Sequence, residues 1–413
     1  MLSFVDRFAF QAIAFACFGT LFLFRPSTWL HTLTLVLGLV LVVFSAEFRT
    51  RLKALFRQTE LMWVAWPFAA WFAVALTLSL AHATSSNFSF PENELRIALA
   101  LTILCYVVQK EAKQTFYIGL VIAACSALAW CLYEREILGV IRSQATTNNP
   151  IHFGNLTALL ALICLSVSLI ENQRSSNFRK LMLVASVLAA LASLASLSRS
   201  SAIIVLCAWP LFNLPRDDLF RKRAISLMAV FFITLILIVG FSSQVRERLR
   251  INEFTAAFNN PDQIDYDRLT GNRGNMWHAA TLMFKAHPLI GVGPAGFPSN
   301  FLALKDDGAV KITEMHNQPH NDILDVVSRG GSLKLLSYVG LICGPFVFFY
   351  RRYKSMGDVE GKLFPLLGMQ SVGAFVLTGL TNSNFDLQIY STMYAVLVCV
   401  IAKLCLELED PHE

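Results

Sequence analysis

Two histidines, His316 and His320, lie four residues apart in a polar segment that also contains Pro319. His320 stands at the predicted start of a helix, where the helix dipole favours neutral imidazole over imidazolium. A neutral histidine can take a proton from a hydroxyl group, so the pattern predicts a general base at His320. Two alternatives are a loop histidine bonded to the backbone and a zinc-binding pair. Pro319 and the lack of a glutamate after His316 count against zinc.

Two arginines have the right positions to bind phosphate. Arg199 interrupts an otherwise apolar run, where an arginine either lines a polar cavity or snorkels to lipid phosphates. Arg273 stands just before a predicted helix start, which favours anions, and a guanidinium can hold phosphate with two hydrogen bonds. The alternative for Arg273 is a solvated loop position.

Arg135 and Arg142 lie in the loop 133–154, on the same predicted side of the membrane as Arg199 and Arg273. This arrangement suits a lipid-linked diphosphate. The arginines would offset the negative charge on a departing diphosphate, while the histidine deprotonates an attacking hydroxyl.

Other chemistries lack their motifs. There is no phosphate-binding loop of the Gly-x-x-x-x-Gly-Lys type and no Gly-x-Ser-x-Gly elbow. The carboxylates of the polar stretches have no interleaved histidine and are interpreted as solvated: Asp262, Asp265, Asp267, Asp306 and Asp307.

The elements that must position these residues are membrane spans. Charged residues make up 15% of the chain, hydrophobic residues 55%, and the mean hydropathy is +0.55. A soluble domain would carry about 25% charge. The apolar blocks are long enough to cross a bilayer, which takes roughly 17–25 residues, and the first is expected to be retained rather than cleaved. Twelve spans are predicted: 8–24, 29–46, 61–81, 95–109, 115–132, 155–170, 181–197, 200–214, 224–241, 332–350, 363–381 and 388–406.

The distribution of basic residues predicts the orientation. Seventeen Lys and Arg residues lie in one set of alternate short loops and five in the other, so the first set is expected to be cytoplasmic. Both termini are then cytoplasmic. The net charge of +6 indicates this orientation rather than a nucleic-acid partner. We divide the chain into spans one to nine (1–241), a large extracytoplasmic loop (242–331), and the last three spans (332–413).

The large loop is expected to be partly helical. Residues 275–285 have an apolar face and stop before Pro288. The glycines and prolines of residues 291–298 predict a rigid turn region. Residues 321–328 predict a second helix, with Ile323, Leu324 and Val327 on one face.

Three motifs resemble those of the O-antigen ligase superfamily. They are Arg273-x3-Trp277, the run from His287 to Phe297, and His320-Asn321-Asp322-x-Leu324. The Ser198-Arg199-Ser200 hairpin and the twelve-span layout with a late large loop fit the same family. The resemblance is specific over residues 199–340 and only topological before that. One departure is Lys334, where the family has a small or hydroxyl-bearing residue, and this is expected to loosen helix packing.

The resemblance implies an all-α membrane protein with a type-C-like glycosyltransferase architecture in a bacterial inner membrane. It implies transfer of a glycan from undecaprenyl diphosphate to an acceptor hydroxyl at the periplasmic face, with inversion and without metal or cofactor. In O-antigen ligases the acceptor is a sugar of the lipid A core. The family histidine corresponds to His320 and the diphosphate-binding arginines to Arg199 and Arg273. The other substrate-binding candidates are Arg135, Arg142, His316, Asn321 and Trp277.

Three alternatives stay open. O-antigen polymerases and protein O-oligosaccharyltransferases use the same donor with other acceptors. The single large loop favours a ligase over a polymerase, and the short stretch after the last span disfavours an oligosaccharyltransferase. A twelve-span transporter should show two related halves and charged or broken helices at mid-membrane, and the sequence shows neither.

Overall fold

The computed structural model describes residues 2–18, 26–83, 89–171, 174–208, 226, 273–310 and 316–406. All regular secondary structure in these residues is helical. The α-helices in chain order are α1 (Leu2–Phe15), α2 (Pro26–Phe44), α3 (Ala46–Leu55), α4 (Met62–Ala81), α5 (Glu92–Leu99), α6 (Ala112–Glu136), α7 (Pro150–Ile170), α8 (Ser176–Ala195), α9 (Arg199–Ala202), α10 (Arg273–Ala286), α11 (Phe297–Asp306), α12 (Asp322–Ser355), α13 (Leu363–Gly379) and α14 (Gln388–Leu406). Three 3-10 helices span Ala100–Cys105, Ala145–Thr147 and Ile203–Ala208.

Six helices of the described residues are long and apolar enough to cross a membrane: α4, α6, α7, α8, α12 and α14. They correspond to six of the predicted spans. The 17-residue α13 is a shorter apolar helix at the predicted span 363–381. Helices α7 and α14 are largely buried inside the bundle, whereas α8 turns much of its surface outward. The fold is therefore that of an all-α, multi-pass membrane protein.

The predicted span 95–109 is wrong as a single membrane-crossing helix. The chain forms the eight-residue α5 and then a six-residue 3-10 helix. The reason is electrostatic, because α5 carries Glu92, Glu94 and Arg96, which bond to one another or to neighbouring helices. The predicted span 8–24 begins earlier, at Leu2, and its residues 19–24 lie outside the described part of the chain, as do residues 209–214 of the predicted span 200–214 and nearly all of 224–241.

Helices α2 and α3 meet at a bend of 109°. Ser45 caps the start of α3, because its hydroxyl accepts a hydrogen bond from the Phe48 N–H at 3.2 Å. Arg49 donates to the last carbonyls of α2, at 3.0 Å to Val42 and 2.7 Å to Val43. The basic α3 thus satisfies the open end of the apolar α2 while turning away from its axis.

The large loop contains a small hydrophobic core of its own. As predicted, residues 275–285 are helical within α10, and the apolar face of α10 is buried. This face packs against Phe297 and Phe301 of α11. Helix α11 was not predicted, since its Gly-Pro-rich start indicated only a turn. Pro298 lies in its first turn, where the missing N–H leaves no intrahelical bond unmade.

Helix α12 breaks at Gly331, where φ is +61° and ψ is −158°. At the break, the N–H groups of Ser332 and Leu333 lose the hydrogen bonds that a continuous helix would form to the carbonyls of residues 328 and 329. A turn of residues 288–293 forms backbone hydrogen bonds with α12 on both sides of this break. Pro288 and Leu289 carbonyls accept from Ser332 and Leu333 at 2.8 and 3.2 Å. On the other side of the break, the N–H groups of residues 292 and 293 donate to the carbonyls of residues 328 and 329.

Glycine is required at this break for two separate reasons. The Gly331 backbone conformation is nearly exclusive to glycine. In addition, a side-chain Cβ at this position would lie 2.4 Å from the Leu289 carbonyl carbon.

Gly331→Ala should therefore destabilise the protein by more than about 3 kcal/mol, because backbone strain and a backbone clash add. Gly308→Ala, with positive φ but open space around it, should lose only about 1 kcal/mol. Gly357→Ala, which has neither feature, should be neutral. Thermal unfolding in detergent measures the order, and equal effects for Gly331→Ala and Gly308→Ala would show that the turn does not pack on the helix as described.

Candidate active site

The polar residues singled out from the sequence gather at one end of the helix bundle. Beyond the end of α4, His82 has a ring nitrogen 3.2 Å from the Gly291 carbonyl, beside the break in α12. The opposite end of the same helix pair is joined by an ion pair of 2.9 Å between Arg352 and Glu60. The site thus lies at the end of the bundle opposite to this ion pair.

His320 has a left-handed backbone, with φ of +52°. A non-glycine residue there is strained, and such strain is often found at functional sites. Its pKa is lowered, first by burial and then by the positive charge of Arg273 and the neighbouring His316, while a hydrogen bond with the Asn382 side chain opposes the shift. The surroundings therefore favour the neutral imidazole that a general base needs.

The turn after α13 supports His320 from one side. Asn382 donates to the Asn384 side-chain oxygen at 2.9 Å, and Asn384 donates to the Phe375 carbonyl at 2.9 Å. The Phe385 N–H donates to a buried carboxylate oxygen of Asp322 at 3.2 Å. The amide that contacts His320 is thus held in place by the ends of α12 and α13.

Trp277 and Asn321 hold the histidine segment from two other sides. The Trp277 indole N–H donates to the Pro319 carbonyl at 3.0 Å, which fixes this segment to α10. The Asn321 side-chain oxygen caps α12 by accepting from the Leu324 N–H at 3.0 Å. Its amide nitrogen donates to the Leu380 carbonyl at 3.0 Å. Trp277 and Asn321 were predicted to bind substrate, but these bonds favour a positioning role for both.

Arg329 connects three loops through a buried guanidinium. It donates to the Pro294 carbonyl at 2.5 Å and to the Asn317 carbonyl at 2.8 Å. The carboxylates of Asp325 and Asp386 lie 2.8 and 3.3 Å from it. Since the charge is buried, these carboxylates and carbonyls are needed to replace its water.

The first two turns of α12 follow the predicted pattern only in part, since Val327 of the predicted apolar face is buried but a polar face is buried as well. Ile323, on the predicted apolar face, is 44% exposed, whereas Asp322, Asp325 and Arg329 are buried. The prediction counted apolar residues only. The buried face is polar because it carries the bonds that join the loops around the site.

Arg199 stands at the start of the short helix α9, and hydroxyl groups position that helix on α7. Ser200 donates to the Asn155 side-chain oxygen at 2.8 Å, and Asn155 donates to the Tyr390 hydroxyl at 2.9 Å. The turn before Arg199 packs on Gly154, where a Cβ would lie 2.2 Å from the Ser196 hydroxyl. Close packing on α7 therefore determines where Arg199 projects.

Arg199 and Arg273 are brought within electrostatic range of each other although they come from distant parts of the sequence. The pKa of Arg273 is lowered by burial and then by the charge of Arg199. Both guanidinium groups nevertheless stay protonated, because an arginine pKa lies far above neutral. Two positive charges thus lie near each other and near His320, and such an arrangement favours an anionic ligand.

The remaining predicted residues have different surroundings. Arg142 donates to the Ser196 carbonyl at 3.2 Å, which places it beside the turn that presents Arg199. His316 packs edge-on against Phe301, and its buried Nε2 has no hydrogen-bond partner within the described residues. Arg135 is 78% exposed and lies 3.7 Å from Glu136, a solvated pair that gives no support to its predicted role in binding substrate.

Lys334 does not loosen the packing, contrary to the prediction. Its ammonium group lies 2.9 Å from the Glu94 carboxylate, and both side chains are largely buried. It also lies 5.1 Å from the centre of the Trp71 ring. The lysine therefore joins α12 to α4 and α5 just past the break, so the departure from the family pattern adds a contact.

Several residues of the site were missed by the sequence reasoning: His152, Asn155, Arg329, Asn382 and Asp386. His152 and Asn155 lie inside an apolar span, where a histidine and an asparagine three residues apart indicate a polar face. The others occur in short polar stretches without a motif. In the described parts of the chain, no three His, Cys, Asp or Glu side chains are grouped as a metal site requires.

The fold and the site define a multi-pass membrane protein with a cationic, histidine-containing site at one end of its helix bundle. Residues 184–339 match the family model described as O-Antigen ligase. The matched segment is similar to the O-antigen ligase family, and it contains Arg199, Arg273 and His320. This confirms the resemblance inferred from the sequence motifs. No curated protein sequence matches the chain.

Trp277→Phe should loosen the histidine segment without altering the fold, because it removes the indole N–H donor and leaves a smaller aromatic ring in its place. One such bond contributes about 1 kcal/mol, so amide exchange of residues 316–321 should become about fivefold faster in hydrogen–deuterium exchange mass spectrometry. Trp66→Phe is the matched control, since it removes the bond to the Phe56 carbonyl elsewhere in the protein. Unchanged exchange in Trp277→Phe would show that this bond does not fix the segment.

Proposed function

We propose that this protein is an O-antigen ligase, which transfers O-antigen polysaccharide from undecaprenyl diphosphate to a sugar hydroxyl of the lipid A core. The observation that carries the proposal is the convergence of Arg199, Arg273 and His320 from three separate elements. A pair of guanidinium groups beside a histidine whose pKa is lowered suits a diphosphate leaving group and a hydroxyl nucleophile.

In the proposed reaction the acceptor oxygen attacks the anomeric carbon of the donor sugar. The bond between that carbon and the diphosphate oxygen breaks, and its electron pair leaves with the diphosphate. His320 takes the proton of the attacking hydroxyl, while Arg199 and Arg273 neutralise the charge that develops on the leaving group. Attack opposite to the leaving group inverts the anomeric configuration, so base and arginines act from opposite sides of the sugar. No metal or cofactor takes part.

The membrane arrangement that goes with this proposal has twelve spans in a type-C-like glycosyltransferase architecture. Residues 1–241 and 332–413 supply the spans, and residues 242–331 form the periplasmic loop. Both termini then face the cytoplasm of a bacterial cell, and the site opens on the periplasmic side of the inner membrane. The excess of Lys and Arg in alternate loops supports this orientation, and it makes a preassembled lipid-linked donor necessary because ATP is absent there.

His320→Ala should abolish glycan transfer while membrane insertion is retained. Since neutral imidazole is the active form, activity of the unaltered protein should persist below the usual histidine pKa of about 6.5 and fall only at lower pH. Arg273→Gln removes a charge that lowers the His320 pKa. Its residual activity should therefore be lost at higher pH, nearer 6.5.

Arg273→Lys is the matched control, because it keeps the charge and should leave the pH profile in place while weakening donor binding. Arg351→Gln, an exposed arginine in the segment after the apolar part of α12, should change neither property. Near-native transfer by His320→Ala, or an identical pH profile in Arg273→Gln, would rule out the assigned base.

The lipopolysaccharide profile of a strain lacking this protein tests the acceptor. A ligase predicts loss of the whole O-antigen ladder, with long glycan retained on undecaprenyl diphosphate. Cores that carry a single repeat would instead identify a polymerase. An unchanged profile would contradict both and direct the search to a protein acceptor.

A further inference from the structure

His152 is a buried histidine in the first turn of α7 with no hydrogen bond to the described part of the chain. It is 9% exposed, and its ring packs edge-on against Tyr390 with 5.0 Å between ring centres. A buried imidazole whose nitrogens have no hydrogen-bond partner in the described part of the chain is suited to bind a polar ligand.

One set of contacts connects His152 to the helix that carries Arg199. Asn155 follows it by three residues and so lies on the same face of α7. The Asn155 side chain accepts a hydrogen bond from Ser200 at 2.8 Å, and Ser200 is adjacent to Arg199. His152 therefore sits one helical turn from the contact that positions the proposed diphosphate-binding residue.

A second set of contacts connects His152 to the proposed base, with which it interacts electrostatically. Tyr390, its ring partner, packs on Phe375 with 5.8 Å between ring centres. The Phe375 carbonyl accepts from Asn384, whose neighbour Asn382 contacts His320. His152 is thus connected through neighbouring residues both to the proposed base and to the turn that carries Arg199.

In an inverting transfer the sugar must occupy the space between the base and the leaving diphosphate. We propose that His152 binds the sugar ring attached to the diphosphate, with one ring nitrogen donating to a sugar hydroxyl and the other accepting from one. Neutral imidazole offers this donor–acceptor pair, whereas arginine offers donors only. The inference rests on the proposed function and adds a substrate-contacting residue that distinguishes the sugar from its lipid carrier.

Binding to protein in nanodiscs tests the proposal without turnover, in a His320→Ala background. Two probes are compared: undecaprenyl diphosphate and the same lipid carrying its glycan. Adding His152→Ala should weaken binding of the glycan-bearing lipid about tenfold, which is the size of one or two hydrogen bonds to hydroxyl groups. Binding of undecaprenyl diphosphate alone should stay unchanged.

Three further variants keep the result decisive. His152→Gln retains a donor and an acceptor and should recover part of the lost affinity. His278→Ala, an exposed histidine on α10, should affect neither probe. Arg199→Ala should weaken both probes alike, because both carry the diphosphate.

Equal weakening of both probes by His152→Ala, or no weakening of either, would overturn the sugar-binding role. Thermal unfolding is measured on each variant, and a loss of stability together with equal weakening would assign His152 to packing alone. Failure of the His320→Ala parent to bind undecaprenyl diphosphate would instead overturn the proposed function itself. The two failures are therefore distinguishable.

Discussion

The long helix α12 breaks at Gly331. The backbone N–H and carbonyl groups that lose their partners within the helix form hydrogen bonds with the turn of residues 288–293 instead. Four backbone groups left open by the break are matched by four groups of the turn. This exchange fixes the loop helices α10 and α11 against the bundle without any side chain. It also aims Arg329, two residues before the break, at the loops around the site. Both Gly291 and Gly331 lie too close to the opposite backbone for a side chain. A Cβ would lie 2.4 Å from the Arg329 carbonyl carbon at Gly291 and 2.4 Å from the Leu289 carbonyl carbon at Gly331.

Cations near the site fall into two groups that differ in what surrounds them. Arg329 lies among carboxylates and carbonyl groups, and Lys334 lies against Glu94, so both are compensated by the protein. Arg199 and Arg273 lie within electrostatic range of each other, and the charge of Arg199 adds to burial in lowering the pKa of Arg273. The first group holds loops together. The second is the pair assigned to the diphosphate in the proposed function, because an anion stabilises two like charges that lie near each other.

Positioning of the proposed base comes from several weak bonds rather than one strong one. Trp277, Arg329 and Asn321 bond to the backbone or to neighbouring turns within three residues of His320. Each contributes about 1 kcal/mol, which is comparable with the strain of a left-handed histidine. The strained conformation persists because the surrounding bonds jointly require it. Such preorganisation limits the motion of the imidazole relative to the arginines, and catalysis depends on that geometry.

The sequence alone determined the class of the protein, because bilayer thickness and the absence of water in hydrocarbon leave apolar helices few alternatives. It also predicted α10 and the start of α12, and it singled out Arg199, Arg273 and His320 as candidates because their motifs are local. Only the tertiary structure decided which face of α12 is buried, that Lys334 is ion-paired, and that His152 lies beside the site. These features depend on contacts between residues distant in the sequence. The local pattern of apolar residues cannot predict which distant residue a side chain will contact. Lys334 and its partner Glu94, for example, are 240 residues apart in the sequence.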